Sequence, residues 1–288
     1  MSDKQTLENI KKLREITGVG FKDCKLAIDE NKGDIDKSIE YLRKKGIAKA
    51  SKKMSRVAAD GLVLVYEKEN KISTIEINSE TDFVAKNKDF ISFCKELSEL
   101  NFQNKSNIEK LKLSKMKNQK TVDENLINLI SKIGEKITIR RAKYFDTNGI
   151  NFSYVHNSLE NNIGKVVSIV QLNKSNNKNL KDLGTKLAMH IAAQSPIAID
   201  EKGIKKEILD KELEIIKEEL KSSGKQVEMI EKISKGKIKK FISDNTLLDQ
   251  LWIMDTKKKV SQIIKEYSNE SEIKVLDFVR YKVGEGID

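Results

Sequence analysis

The 288-residue sequence predicts an α+β fold: an N-terminal three-helix unit, then a two-part α+β core with a helical hairpin. Three observations predict it. Helical spacing alone runs up to about residue 50, strand alternation begins after it, and a hairpin-then-helix pattern occurs twice, over 62–100 and 152–194. With 38% hydrophobic and 6% aromatic residues the chain can bury one sizeable core or two smaller ones, and its length favours about two domains.

The elements follow in order. Leu7, Ile10, Leu13 and Ile16 mark a first helix, Cys24, Ala27 and Ile28 a second, and Ile35, Ile39 and Leu42 a third, giving a unit over residues 1–54. Gly18 and Gly20 are expected to allow a tight turn between the first two. Asp34 after Gly33 is the expected cap of the third. The lysine-rich residues 45–54 read as a basic tether.

An N-terminal core subdomain is expected over 55–146, with strands at 62–66 and 72–77 joined by a polar turn at 67–71. Ile75 and Ile77 alternate with Glu76, and Phe90, Phe93, Cys94 and Leu97 then recur at helical spacing, so Thr81 or Asp82 is the expected cap of that helix. A polar, lysine-rich stretch at 101–125 leads to Leu126, Leu129 and Ile133. A strand follows in which Ile137 and Ile139 alternate with Thr138 and Arg140.

The Asn148-Gly149 pair signals a turn. A C-terminal core subdomain and tail are expected over 147–203 and 242–288, from Phe152, Tyr154 and the run 166–172 through the helix carrying Leu183, Leu187, His190 and Ile191. Between them, over 204–241, Leu209, Leu213, Ile216 and Leu220 step by 4, 3 and 4, the seam of a helix that packs on one partner. Ser222-Ser223-Gly224 ends it, and Val227, Ile230 and Ile233 start the return helix of an antiparallel hairpin. The segment 247–254, a helix at 260–264 and a strand at 273–283 close the chain.

Composition excludes several classes. No apolar run reaches 18 residues, so no membrane-spanning helix is expected. The first residues lead into no apolar segment of signal type, which makes a cytoplasmic location the expectation. Cys24 and Cys94 lie in no CxxC pair and beside no histidine, so neither metal nor disulfide is expected. No two glycines stand five apart before a lysine, and Asp23 occupies the third glycine position after Gly18-Val19-Gly20, so no direct nucleotide binding is expected. His156 and His190 are the only histidines and no nucleophile or metal motif accompanies them; His190 reads as a hydrogen-bonded core residue. No catalytic constellation and no cofactor site emerge, so the chain is not expected to be an enzyme.

The net charge of +11 comes from 55 basic and 44 acidic residues, almost all the cations being lysine. A lysine-rich RNA-binding protein is the alternative reading this supports. Scattered charge reads more simply as solvated surface.

The segment Thr81-Asp82-Phe83-Val84-Ala85-Lys86-Asn87 sets an acid beside a large aromatic where a strand gives way to a helix. An aromatic held there can be pushed into a partner from a rigid base. The motif resembles one in the elongation factor Ts family, the nucleotide exchange factors of the GTPase elongation factor Tu. The likeness covers nearly the whole chain, in the family's order: residues 13–25, Gly33-Asp34-Ile35, 57–61, 133–141, Tyr154-Val155-His156, 188–193 and 283–287.

That resemblance implies a ubiquitin-associated-like fold for the first 54 residues and insertion of Thr81, Asp82, Phe83 and Val84 into the GTPase near its magnesium and phosphates. It also implies partner contacts for Ile133, Gly134, His156, Ile253 and Met254, and docking on the same GTPase domain for Leu13, Arg14, Phe21 and Lys25. Two departures stand out: Lys22 replaces a commonly apolar residue, and Leu251-Trp252 replaces a Pro-Phe pair.

Overall fold

The computed structural model describes residues 3–17, 19–224, 226–268 and 271–287, without the side chains of residues 3, 4 and 227. Helices α1 (Asp3–Thr17), α2 (Phe21–Glu30) and α3 (Ile35–Lys53) come first. Their inner stripes, Ile10 and Leu13, then Cys24, Ala27 and Ile28, then Leu42, close a small apolar core. Asp34 caps α3 as expected, accepting the Lys37 N–H at 3.0 Å. Gly18 lies outside the described residues. Gly20 has φ −60°, open to any residue, so it does not use the freedom expected of it.

Strands β1 (Asp60–Lys68) and β2 (Lys71–Ser79) pair antiparallel about a turn shorter than expected, Glu69 and Asn70 alone, with φ of 52° and 59°. The one-turn α4 (Asp82–Ala85), then α5 (Lys88–Gln103), α6 (Ile108–Leu113), α7 (Val122–Ile133) and β3 (Ile137–Phe145) follow. The second half holds β4 (Ile150–His156), β5 (Ile163–Gly164), β6 (Val166–Leu172), α8 (Leu180–Gln194), α9 (Lys206–Ser222), α10 (Val227–Asn245), β7 (Leu251–Trp252), β8 (Asp255–Lys259), α11 (Val260–Tyr267) and β9 (Val275–Lys282).

Two sheets, ordered β3-β2-β1-β5 and β4-β6-β9, lie face to face. Strand alternation explains the layering. Leu62 and Leu64 of β1 point toward Phe90, Phe93 and Leu97 of α5, while Val63 and Val65 point toward Val167, Ile169, Val279 and Tyr281 of the other sheet. On β6, Val170 and Leu172 face the opposite way, onto Leu183 and Leu187 of α8. The order of layers is helices, sheet, sheet, helices, and the fold is α+β as the sequence predicts. In α9 and α10, Ile216, Leu220 and Ile230 form the hairpin's own apolar seam; the Val227 side chain lies outside the described residues.

One segment corrects the expectations, and a second gains elements the sequence had not assigned. The basic tether is helix: α3 runs on to Lys53 because its buried face continues as Leu42, Gly46 and Ala50. Gly46 seats against Ser131 and Ile127 of α7, and Ala50 enters the core under the first sheet. Small residues let the helices approach closely. The polar stretch 101–125 likewise contains α6 and the start of α7, anchored by Leu111, Met116 and Val122 in that same core.

A fully buried carboxylate helps to join the halves. Glu76 of β2 is 0% exposed and accepts from Arg140 Nη1 at 3.0 Å, Asn78 Nδ2 at 3.0 Å and the Gly284 N–H at 2.9 Å, with Arg141 Nε as a further donor. Burial pushes its pKa up, but the Gly284 N–H, Arg141 and Asn78 outweigh it and hold the carboxyl below its ordinary value.

Candidate functional site

The strand β2 ends at Ser79 and the chain turns outward. Thr81 occupies the N-cap position of α4 but makes no capping bond with its side chain. Instead its hydroxyl donates to Glu135 Oε1 at 2.8 Å and its N–H to Glu135 Oε2 at 3.0 Å. The helix carrying Phe90 is separate: Asn87 caps α5, accepting from the Asp89 and Phe90 N–H groups at 2.9 and 3.2 Å. The expected cap at Thr81 or Asp82 is therefore corrected, because the Lys86–Asn87 step breaks the helix and gives the motif a turn of its own.

On that turn the four residues divide by exposure. Val84, expected to insert with its neighbours, is corrected: it is 4% exposed and buried with Ala85 in the core beneath, where it fixes the base. Phe83 is 79% exposed, the most exposed large hydrophobic side chain among the described residues. Asp82 is half-exposed and pairs with Lys86 at 2.8 Å. The Lys86 ammonium holds the Asp82 carboxyl below the usual carboxylate range, with Lys165 contributing to the same field.

Ile133 and Gly134 stand directly behind the motif. Ile133 closes α7 and packs partly on the core, and Gly134 ends the helix in the left-handed conformation, φ 89° and ψ 6°, which a side chain would strain. The reversal delivers Glu135 to Thr81 and the Lys136 N–H to Glu80 Oε1 at 2.6 Å. Arg56 reaches Glu80 at 3.2 Å. Burial raises the Glu80 pKa, but the Lys136 N–H and Arg56 outweigh it and leave the carboxyl below its ordinary value. Lys53 donates to the Gly134 carbonyl, tying the end of α3 to the same loop.

His156 is exposed at the end of β4, its Nδ1 3.1 Å from the Tyr154 hydroxyl. Its carbonyl accepts the Lys165 N–H at 3.3 Å, and the Lys165 ammonium binds Asp60 and the Gly61 carbonyl at the start of β1. Lys165, whose charge helps to lower the Asp82 pKa, thus binds His156 through its backbone.

Ile253 and Met254 form the turn between β7 and β8, with Met254 exposed and Ile253 half-buried. Their anchor is His190, which is fully buried as the sequence indicates. Its ring stacks on Trp252 at 5.2 Å, its Nε2 lies 3.0 Å from Gln250 Oε1, and its Nδ1 accepts the Ile253 N–H at 3.4 Å. Burial pulls the His190 pKa down against the opposing Gln250 bond. Trp252 is thus the buried side of the turn and Leu251 the exposed side.

In the N-terminal unit Phe21 and Lys25 are exposed and four apart on α2, hence on one face, and Arg14 is exposed on α1. Leu13 is corrected: it is 0% exposed, locked among Ile10, Cys24 and Leu42, and has no side-chain surface to offer. The residues that sequence reasoning missed are Glu80, Glu135, Lys136, Arg56 and Lys165. Among the described residues no cluster of three or more His, Cys, Asp or Glu could hold a metal ion, and no helix is long and apolar enough to cross a membrane.

Comparison with known proteins gives one family. A family model described as elongation factor TS matches residues 80–285. The elongation factor Ts of Nitrobacter hamburgensis is 40% identical over 287 residues, covering 98% of this chain and 93% of its own. That of Methylobacterium sp. is 40% identical with the same coverage, and that of Xanthobacter autotrophicus is 41% identical over 97% of this chain and 92% of its own.

Proposed function

The chain belongs to the elongation factor Ts family, and we propose that it is a guanine nucleotide exchange factor that binds the GDP form of elongation factor Tu, displaces magnesium and promotes GDP release during translation elongation. The observation that carries this reading is the 79% exposure of Phe83 on a turn whose base is buried. A phenyl ring held in water gains its burial only in a partner. Inserted between elements of the GTPase that must separate to receive it, the ring pulls the magnesium ligands out of place, and nucleotide leaves.

Asp82 and Thr81 enter beside the ring, and Val84 supplies its footing. Ile133, Gly134, His156, Ile253 and Met254 extend the contact across both halves, and Arg14, Phe21 and Lys25 dock the N-terminal unit. A nucleotide-free GTPase needs a contact of that spread. The chain makes and breaks no covalent bond in this scheme, so it is not an enzyme, and it works in the cytoplasm where its partner works. Coupling is reciprocal: whatever the wedge does to weaken GDP binding, GDP does to weaken the complex.

Stopped-flow release of fluorescent GDP from elongation factor Tu tests the reading. The chain should accelerate release in a concentration-dependent, saturable way, and excess free GDP should dissociate the complex. No acceleration at saturating chain would refute it. Binding to RNA that falls steeply with salt, with no GTPase captured, would favour the RNA-binding alternative.

A further inference from the structure

Resting on the exchange reading, we propose that Glu135 is a positioning residue of the exchange reaction, one half of a reciprocal brace that holds the Phe83 turn pointing outward. The brace joins two pairs of adjacent residues far apart in the chain. The Glu135 carboxylate takes both donors of Thr81, the N–H at 3.0 Å and the hydroxyl at 2.8 Å, while the Glu80 carboxylate takes the Lys136 N–H at 2.6 Å. Each segment thus binds a backbone N–H of the other with its own carboxylate. Both oxygens of Glu135 are occupied, so the side chain fixes Thr81 in direction as well as distance.

The turn needs this support because it has little of its own. α4 is a single turn without a side-chain cap, closed at its end by the Lys86 N–H to Phe83 O and the Asn87 N–H to Val84 O, at 3.2 and 2.9 Å. Ser79 adds one bond, its hydroxyl donating to the Thr81 carbonyl at 2.9 Å. Against it, the brace is rooted in α7 through Gly134 and in α3 through Lys53, which donates to the Gly134 carbonyl, while Arg56, just beyond α3, pairs with Glu80 and its carbonyl accepts the Lys136 ammonium at 2.7 Å. Glu135 touches neither nucleotide nor magnesium in this account; it acts through the orientation of Phe83. A wedge free to swing would still bind by the other segments and would insert less often.

Two readouts on the full chain test this. Hydrogen exchange of the free protein reads the brace: Glu135→Ala should speed exchange of the Thr81, Lys86 and Asn87 amides about tenfold while α5 amides stay protected, which also reports that the variant is folded. GDP release reads the consequence: Glu135→Ala should lower the maximal rate about tenfold and leave the half-saturating concentration within about twofold. Glu135→Gln, which keeps one acceptor, should fall between, and Thr81→Val combined with Glu135→Ala should be no slower than the slower single variant. Unchanged Thr81 protection in Glu135→Ala, an unchanged maximal rate, or an effect confined to the half-saturating concentration would each overturn the positioning role. Failure of the wild-type chain to accelerate release is a separate outcome, which sinks the exchange reading and the role built on it.

Discussion

The two halves of the core share a plan and part ways at one connection. Each has a pair of antiparallel strands, a helix, and a further strand added beside the second of the pair, giving β3-β2-β1 in one and β4-β6-β9 in the other. Between β6 and α8 the second half closes on itself: Asn173 exchanges bonds with the Glu272 carbonyl at 2.9 Å and the Lys274 N–H at 2.7 Å, Ser175 meets Ser271, and Asn177 donates to the Tyr267 carbonyl. Between β2 and α5 the first half is held by its own segment before β3, 134–136, and yet leaves a phenylalanine in water. The same scaffold is a closed joint in one place and an outward-facing tool in the other, so activity has to be sought in the connection.

Packing differs between the halves as well. In the first, the helix brings the bulk, with Phe90, Phe93 and Leu97 laid on Leu62, Leu64 and Ile75. In the second the strand does: the Phe152 ring lies where a Gly184 side chain would be, 2.1 Å from the position of its Cβ, and the Ser168 hydroxyl donates to the Ala188 carbonyl at 2.6 Å.

The largest expected effect falls where the halves meet. Glu76→Ala leaves Arg140 and Arg141 without their buried partner and should cost about 3–5 kcal/mol in urea unfolding. Because its folded pKa lies below the unfolded 4.5, Glu76 contributes stability above that value that is lost as pH falls through the folded pKa. If the variant unfolded like wild type, the two halves would not be joined there. Next, Gly184→Ala pushes a methyl into Phe152 and should cost about 1–3 kcal/mol, with GDP release per folded molecule unchanged. A loss of exchange activity in the folded variant would mean that the second half does more than support.

Smaller still is the effect of acid on His190. Its folded pKa is below the ordinary 6.5, so the neutral ring stabilises the fold above that pH and stability declines as pH drops from there toward the folded pKa. His190→Gln should flatten that part of the profile in thermal melts between about pH 7 and pH 5. Smallest is Lys86→Ala, which removes an exposed pair with Asp82 and should leave the melting temperature unchanged within error.

Much of the architecture was legible because hydropathy there follows period. Ile75 and Ile77 announce β2, Leu209 to Leu220 announce α9, and His190 could be recognised as core from the apolar face around it. What was not legible depends on partners distant in sequence. The end of α3 hides because Gly46 and Ala50 carry no strong hydropathy, although they are the residues that let α7 approach. β5 has two residues, too few for any pattern. Leu13 lies in the same apolar stripe as Ile10 and turned out to be core. At the site the aromatic was conspicuous, whereas Glu135 was one carboxylate among many until the fold set it against Thr81, 54 residues earlier in the chain. The one local hint was its place immediately after a helix-ending glycine.

If the Phe83 ring does the work of separation, stopped-flow GDP release from elongation factor Tu with Phe83→Ala beside the wild type will show it. An aromatic of this kind should be worth about 2 kcal/mol or more, so the variant should be slower by roughly 30-fold or more at equal concentration. Release as fast as wild type would mean that the ring is not the wedge.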